Sequence, residues 1–393
     1  MDSETKRKLE LIKNIDELRY YIVDIEAIKF TTNSYYFDVS KYFDTSNKIK
    51  AKDNLSCETA EQILLTHYLL YVCDRQMDYR RIFRIGGFVM SKLVKTFLSE
   101  EMTEEVYDSH IDKNDVRFKA EIENTDENEN ILKYIEKGKN NVDFSSRYCP
   151  NDIVSIFTTL DTLQKKYKKS FGNFLSESKD DVSNLAEEMY KLTYAIRQVK
   201  KADIKGEKWE KISDKFNTKG QFDKYSAKRI WCVLRDFLCH PYFSECYRKI
   251  LGKNEQEFEG YKREQILKLE LPGDVWNNNK KFAECFFGEN YENNIPSKTK
   301  KYNSSKFLRE FFNKEGINAK LSPIIFDTTF LFVPRMCNED KCSICPFKTE
   351  NNKKFLQEIC HEAEGKYCTF LLYSTGIKYK CLGDSKNCKL NII

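Results

Sequence analysis

The stretch Ser226-Ala227-Lys228-Arg229-Ile230-Trp231-Cys232-Val233-Leu234-Arg235-Asp236-Phe237-Leu238 is the clearest structural signal in the chain. Its apolar residues Ile230, Val233, Leu234, Phe237 and Leu238 recur at steps of three and one. That period predicts an amphipathic helix. Pro241 follows and is expected to end it, since an interior proline removes a backbone donor and clashes with the preceding turn. Cys232 and Cys239 stand seven residues apart and share a helix face, so they read as core residues. His240 reads as a capping or core histidine.

Working outward, 59–98 reads as two more helices. The first contains Ile63-Leu64-Leu65-Thr66-His67-Tyr68-Leu69-Leu70-Tyr71-Val72, apolar nearly all round and therefore expected to be buried. Thr59 is the expected cap, with Glu61 and Gln62 in the first turn. The second runs Phe88 to Phe97. Helical spacing returns over 151–200, which carries the basic run Lys165-Lys166-Tyr167-Lys168-Lys169. A further helix is expected from Glu255 to Leu269, and another from Ser304 to Asn313. Residues 1–55 read as a charged helix and a Tyr-rich irregular stretch. Thr369–Tyr373 and Ile377–Lys380 read as a small hairpin around Ser374-Thr375-Gly376. The fold class is mainly α, with a small Cys-rich C-terminal module. The expected division is 1–99 and 226–336 as a helical core, 100–225 as an acidic segment and helical insertion, and 337–393 as the Cys-rich module.

Charge is segregated along the 393 residues. Residues 100–129 hold twelve acids and three bases, so the net of +5 divides into −9 there and +14 elsewhere. With poor periodicity, 100–142 reads as a flexible surface segment. A basic body suits a polyanion, because lysines and arginines release counterions from phosphates. Solvated helical faces are the alternative reading of the same charges. No apolar run approaches the ~20 residues of a membrane span. The N-terminus has no apolar signal region, so a cytoplasmic protein is expected.

Seven of the 14 cysteines fall between Cys337 and Cys388. In a reducing compartment, clustered cysteines read as metal or cluster ligands more readily than disulfides. Cys337-x4-Cys342-x2-Cys345-Pro346 is the nucleus, because a two-residue gap turns both sulfurs toward one metal. Cys360 is the natural fourth ligand, with Cys368, Cys381, Cys388 and His361 as alternates. A [4Fe–4S] cluster and zinc both fit this spacing. Four thiolates leave no open coordination position, so the site reads as structural.

The stretch from Asp327 through Cys337 to Phe347 resembles the last helix and cluster loop of the iron–sulfur helix-hairpin-helix DNA glycosylases, whose cysteines follow C-x6-C-x2-C-x5-C. The Leu64–Val72 run followed by Gln76 resembles the family's base-pair-probing element. Leu271-Pro272-Gly273 resembles the start of its hairpin, and Phe326-Asp327-Thr328 its catalytic-aspartate motif. The spacing departs from the family's: the first cysteine gap is four residues and Val275 replaces the second hairpin glycine. The resemblance implies a helix-hairpin-helix domain and a glycosylase acting on a damaged or modified DNA base. Asp327 would be the catalytic carboxylate and Asp274 the second candidate. Asp327 could instead cap the helix beginning at Thr328. Gln76 would be the wedge, with Arg75, Arg80, Arg81 and Arg84 on phosphates. Asn277 stands where bifunctional members carry a Schiff-base lysine, which implies a monofunctional enzyme. A non-enzymatic DNA- or RNA-binding protein with a zinc module is the alternative, and a cluster-bearing nuclease the third.

Overall fold

The computed structural model describes residues 39–44, 50–73, 86–119, 141–142, 149–178, 181–193, 199–216 and 227–271, together with Ser3, Leu9, Phe37 and Phe222. The chain divides into two compact units. One spans 27–265 and the other joins 1–26 to 266–393. The first unit is mainly helical. Among the described residues no helix is long and apolar enough to cross a membrane.

In chain order the elements begin with α1 (Val39–Tyr42), β1 (Phe43–Asp44), β2 (Lys50–Ala51), α2 (Cys57–Val72), α3 (Gly87–Ser99) and α4 (Glu104–His110). Then come β3 (Ile111–Asp112), β4 (Arg117–Lys119), β5 (Asn141–Val142), α5 (Cys149–Tyr167), α6 (Phe171–Glu177) and α7 (Val182–Thr193). The unit closes with α8 (Lys201–Ile204), α9 (Trp209–Phe216), α10 (Lys228–Cys239), α11 (Pro241–Ile250) and α12 (Glu255–Ile266).

Helix α2 is the centre of the unit. Ala60, Ile63, Leu64, Leu65, Tyr68, Leu69, Leu70 and Val72 are all buried on it, so it has no solvent stripe of ordinary width. It packs on α3, α10 and α11 and also meets α5 and α6. Each fully buried leucine there contributes about 1.5–3 kcal/mol relative to exposure. The cap is Ser56, three residues before the expected Thr59: its hydroxyl accepts from the Thr59 N–H at 3.0 Å. The apolar period starts late because the first turn of α2 is partly solvated, so the pattern alone misplaces the boundary.

Two polar ties hold α2 to its neighbours. The Tyr68 hydroxyl donates to the Met189 carbonyl at 2.6 Å, and its ring stacks on Phe171. The Glu61 carboxylate accepts from the Phe171 N–H and from the Ser170 hydroxyl at the start of α6.

Helix α10 covers the predicted stretch and buries Ile230, Val233, Leu234, Phe237 and Leu238 as its spacing requires. Cys232 is buried and Cys239 is half-buried. Pro241 does more than stop α10. It is the first residue of α11, where its missing N–H costs nothing because that donor has no intrahelical partner. His240 is thus both the C-cap of α10 and the N-cap of α11, in extended backbone conformation. Its N–H donates to the Asp236 carbonyl at 2.9 Å and its carbonyl accepts from Ser244 at 2.8 Å. Tyr242, Phe243, Cys246 and Tyr247 are the buried side of α11. That helix was legible from Pro241 at a helix start and from the i, i+4 spacing of its apolar residues.

The acidic segment is more ordered than its composition predicts. Over 100–119, Thr103 caps α4, and Tyr107 meets the Phe157 and Trp209 rings with centroids 4.7 and 5.0 Å away. Ile111 pairs with Phe118 and Phe118 with Val142 in an antiparallel sheet ordered β3-β4-β5. Glu104 accepts from Lys113 and from the Trp209 N–H. The segment folds because its few apolar residues alternate with the acids and bury against α5 and α9, leaving much of the charge to solvent.

Helix α5 ends in an unusual turn. Lys168 and Lys169 both have positive φ, 52° and 63°. The Lys169 N–H bonds the Leu163 carbonyl and the Ser170 N–H bonds that of Tyr167, which closes the helix in the left-handed manner usually left to glycine. For a residue with a Cβ that conformation costs about 1 kcal/mol or more.

The helix expected at Ser304–Asn313 and the hairpin at 369–380 lie outside the described residues, as does nearly all of 1–38.

Candidate functional site

Among the described residues, the core of the unit holds a concentrated group of ionisable side chains. His67 comes from the middle of α2, Tyr71 from one turn later, Arg235 and Asp236 from the last turns of α10, and His240 from the α10–α11 corner. Asp236 is the hub. Its Oδ2 lies 3.0 Å from His67 Nε2 and accepts from the Tyr71 hydroxyl at 2.7 Å. Its Oδ1 accepts from Arg235 Nη2 at 3.2 Å and from Nε at 3.3 Å. The Arg235 side chain is only 1% exposed and that of Asp236 only 9%.

Local sequence explains how these groups meet. At 3.6 residues per turn, Arg235 and Asp236 point away from the arc of Ile230, Val233, Leu234, Phe237 and Leu238, yet both are buried because α10 is enclosed nearly all round. A charge on a helix enclosed in this way has to be buried. It is tolerated because the two charges are opposite and adjacent, and because His67 and Tyr71 fill further acceptor sites of the carboxylate. On α2, His67 and Tyr71 are four residues apart and so share a face. Phe243, one turn into α11, lies on the His67 ring with a centroid separation of 3.7 Å, and meets His240 at 4.4 Å. Arg229 donates to the Val72 carbonyl at the end of α2, which locks the two helices together.

Burial, the largest influence on Asp236, favours the neutral acid. The Arg235 guanidinium and the imidazoles of His67 and His240 outweigh it and hold the carboxyl far below the usual carboxylate range. For His67, burial lowers the pKa and Asp236 only partly opposes this, so the imidazole is neutral at neutral pH. With an ionised Asp236 accepting at Nε2, the proton sits on Nε2 and the basic lone pair on Nδ1. The cluster therefore combines a fixed carboxylate, a guanidinium, a phenol and two imidazoles. Those are the groups of metal-free acid–base chemistry on a phosphate.

No family model, curated protein or solved structure matches this chain.

The residues expected from the sequence to form a site are a different set. Gln76, Arg75, Arg80, Arg81 and Arg84, the aspartates Asp274 and Asp327, and the ligands Cys337, Cys342, Cys345, Cys360, Cys368, Cys381, Cys388 and His361 all lie outside the described residues. Among the described residues no group of three or more His, Cys, Asp or Glu side chains could hold a metal ion. Cys57 is exposed, Cys239 half-buried, and Cys73, Cys232 and Cys246 are buried. His240 stands where the sequence placed it, as a cap and a core residue. Sequence reasoning missed His67, Tyr71, Arg235 and Asp236 as a group. The spacing of α10 puts Arg235 and Asp236 off its apolar arc, so no linear signal marks them as buried.

Proposed function

We propose that this chain is a nucleic-acid-processing enzyme that cleaves RNA at the Arg235–His240 corner without a metal. The observation that carries the reading is the convergence of Arg235, Asp236 and His67, with His240 at the same corner, in a chain whose charge outside the acidic segment is +14. In this chemistry a base takes the proton of the ribose 2′-hydroxyl. The oxygen attacks the adjacent phosphorus, and the bond to the 5′-oxygen breaks as that oxygen gains a proton. The products are a 2′,3′-cyclic phosphate and a 5′-hydroxyl. His240 is the acid–base group at the helix corner, and Arg235 carries the charge that develops on the phosphate. His67 and Tyr71 are positioning residues that orient Asp236, which in turn orients Arg235. His240 is 5% exposed and Phe243 covers the cluster, so this reading requires the first turn of α11 to move aside for substrate. The test is a 5′-labelled RNA incubated with protein in EDTA. Cyclic-phosphate ends that disappear in R235A and H240A support the reading. Intact RNA, or unchanged cleavage in both variants, overturns it.

A second reading is favoured by the Cys337-x4-Cys342-x2-Cys345-Pro346 spacing. It is a monofunctional DNA-base glycosylase of helix-hairpin-helix type, with Asp327 or Asp274 as carboxylate and a structural [4Fe–4S] cluster. In its non-enzymatic form the cysteines hold zinc and the chain only binds DNA or RNA. Abasic sites on duplexes carrying modified bases would support the enzyme. Iron against zinc in the purified protein separates the two cofactors.

A further inference from the structure

The turn between α5 and α6 carries a second feature that the acid–base cluster does not use. Lys166, Tyr167, Lys168, Asn173, Ser176 and Glu177 line a concavity of about 370 Å³ there. Lys165 is paired with Asp161 at 2.8 Å, and Lys169 donates to the Glu100 carbonyl. Lys166 and Lys168 are exposed, and among the described residues no hydrogen bond or ion pair holds either ammonium. Tyr167 lies between them, half-buried, its ring fixed edge-to-face by Phe174 at 5.3 Å and 90°.

The backbone supplies an independent observation. Lys168 and Lys169 occupy left-handed conformations that glycine adopts without steric cost. Helix closure would therefore be better served by glycine at both positions. Lysine charge is kept at a conformational cost, as happens where a side chain has a task besides folding.

We infer that this concavity is a docking site for single-stranded RNA, with phosphates on Lys166 and Lys168 and one base stacked on Tyr167. The inference rests on the RNA-processing reading and names where its substrate is held. Cations spaced around an aromatic ring are the recognition pattern of unpaired strands, because every base offers a face and every linkage a charge. Asn173, whose Nδ2 donates to the Tyr167 carbonyl at 3.3 Å, keeps its Oδ1 for base edges, Ser176 offers its hydroxyl, and the Glu177 carboxylate beside the Tyr167 hydroxyl keeps acceptor capacity for a base amino group. A membrane surface or an acidic peptide would use the lysines but gain little from the ring.

The experiment is fluorescence anisotropy of the full chain with a labelled 2′-O-methyl oligouridylate 12-mer, which cannot be cleaved through the 2′ position. K166E/K168E is expected to weaken binding about tenfold or more and to flatten the log–log salt slope by about 1.4, near 0.7 for each phosphate no longer neutralised. Y167A is expected to weaken binding about fivefold or more with the salt slope unchanged, and Y167F to restore it. K168G is the folding control: it should unfold at the same or higher temperature and still bind less well. Binding within twofold of wild type in K166E/K168E overturns the inference, as does equal affinity of the wild type for a 12-residue polyglutamate. Cleavage of RNA by a wild type whose binding ignores these substitutions would sink the docking site and leave the RNA-processing reading standing. Loss of binding in the variants, with no cleavage by wild type, would do the reverse.

Discussion

His67 Nε2 lies 3.0 Å from Asp236 Oδ2, which joins α2 to α10 across 169 positions of sequence. The link is buried, one partner is ionised and the other neutral, and Arg235 supplies the countercharge on the far oxygen. Stability, pH response and the proposed chemistry all pass through it.

Removing the charge of Asp236 leaves Arg235 buried without its counter-ion. Asp236→Asn is expected to destabilise the unit by about 3 kcal/mol or more, the usual range for breaking one side of a buried pair. Arg235→Met combined with Asp236→Leu should recover much of the loss, because no buried charge is then left uncompensated. Urea denaturation of the two single variants and the double variant measures this. A double variant as unstable as the two losses added together would contradict it.

Acid should weaken the fold in two stages. The folded-state pKa of His67 lies below its ordinary 6.5, so the unfolded chain takes up a proton first as pH falls. Stability is complete above about pH 6.5 and declines as pH drops through the folded value. Asp236 has the same sign lower down: its contribution is complete above its ordinary 3.8 and is lost as pH falls below that. His67→Gln should remove the upper stage and leave the lower one. A denaturation midpoint that stays level from pH 7 to pH 5 in the wild type would rule out the assignment.

His240 caps α11 through its backbone position, with no side-chain cap bond. His240→Asn should therefore stay folded, since asparagine is a favoured cap residue, and lose stability only through the ring contacts with Tyr242 and Phe243. If His240 is the acid–base group, RNA cleavage should fall about 100-fold or more in that variant. Single-turnover cleavage and thermal unfolding on the same preparations check both halves. Full activity would refute the proposed role.

Thiol reactivity should divide the described cysteines. Cys57 is exposed, whereas burial pushes the Cys246 thiol well above its ordinary 9.0. The thiolate is the reactive form, so Cys57 should alkylate quickly in native protein and Cys246 only after unfolding. Iodoacetamide pulses with peptide mass mapping test it. Rapid native labelling of Cys246 would mean that α11 opens far more readily than its burial suggests.

If Cys337, Cys342 and Cys345 ligate a metal, Cys342→Ser and Cys345→Ser should each abolish stoichiometric iron or zinc, while Cys246→Ser leaves it unchanged. Elemental analysis after anaerobic purification gives the answer. Metal content equal to wild type in both loop variants would discard the ligand assignment.

Periodicity alone was sufficient to place α2, α3, α10 and α12 within a few residues, and it marked 151–200 as helical without separating α5, α6 and α7. Helices fold around a local repeat that needs no knowledge of the partner, so Ile230 to Leu238 declared both a helix and its buried side. Pro241 announced a break, and the helix it also begins could have been read from the same residue. Local composition misled over 100–119, because acids outnumber the apolar residues that anchor the segment, and only Phe157 and Trp209 reveal where Tyr107 and Phe118 are buried. The acid–base cluster was beyond the reach of the linear pattern. His67 looked like an interruption in an apolar run, and Arg235-Asp236 like ordinary charges on a helix. Tertiary packing alone decided that these residues, far apart along the chain, share one low-dielectric space, where each sets the protonation of the others. Sequence determined that α2, α3, α10 and α12 would be helical and, for α10, which side would be apolar. The fold determined how those charges are satisfied: Arg235 neutralises Asp236 within α10, and only packing against α2 brings His67 and Tyr71 to the other carboxylate oxygen.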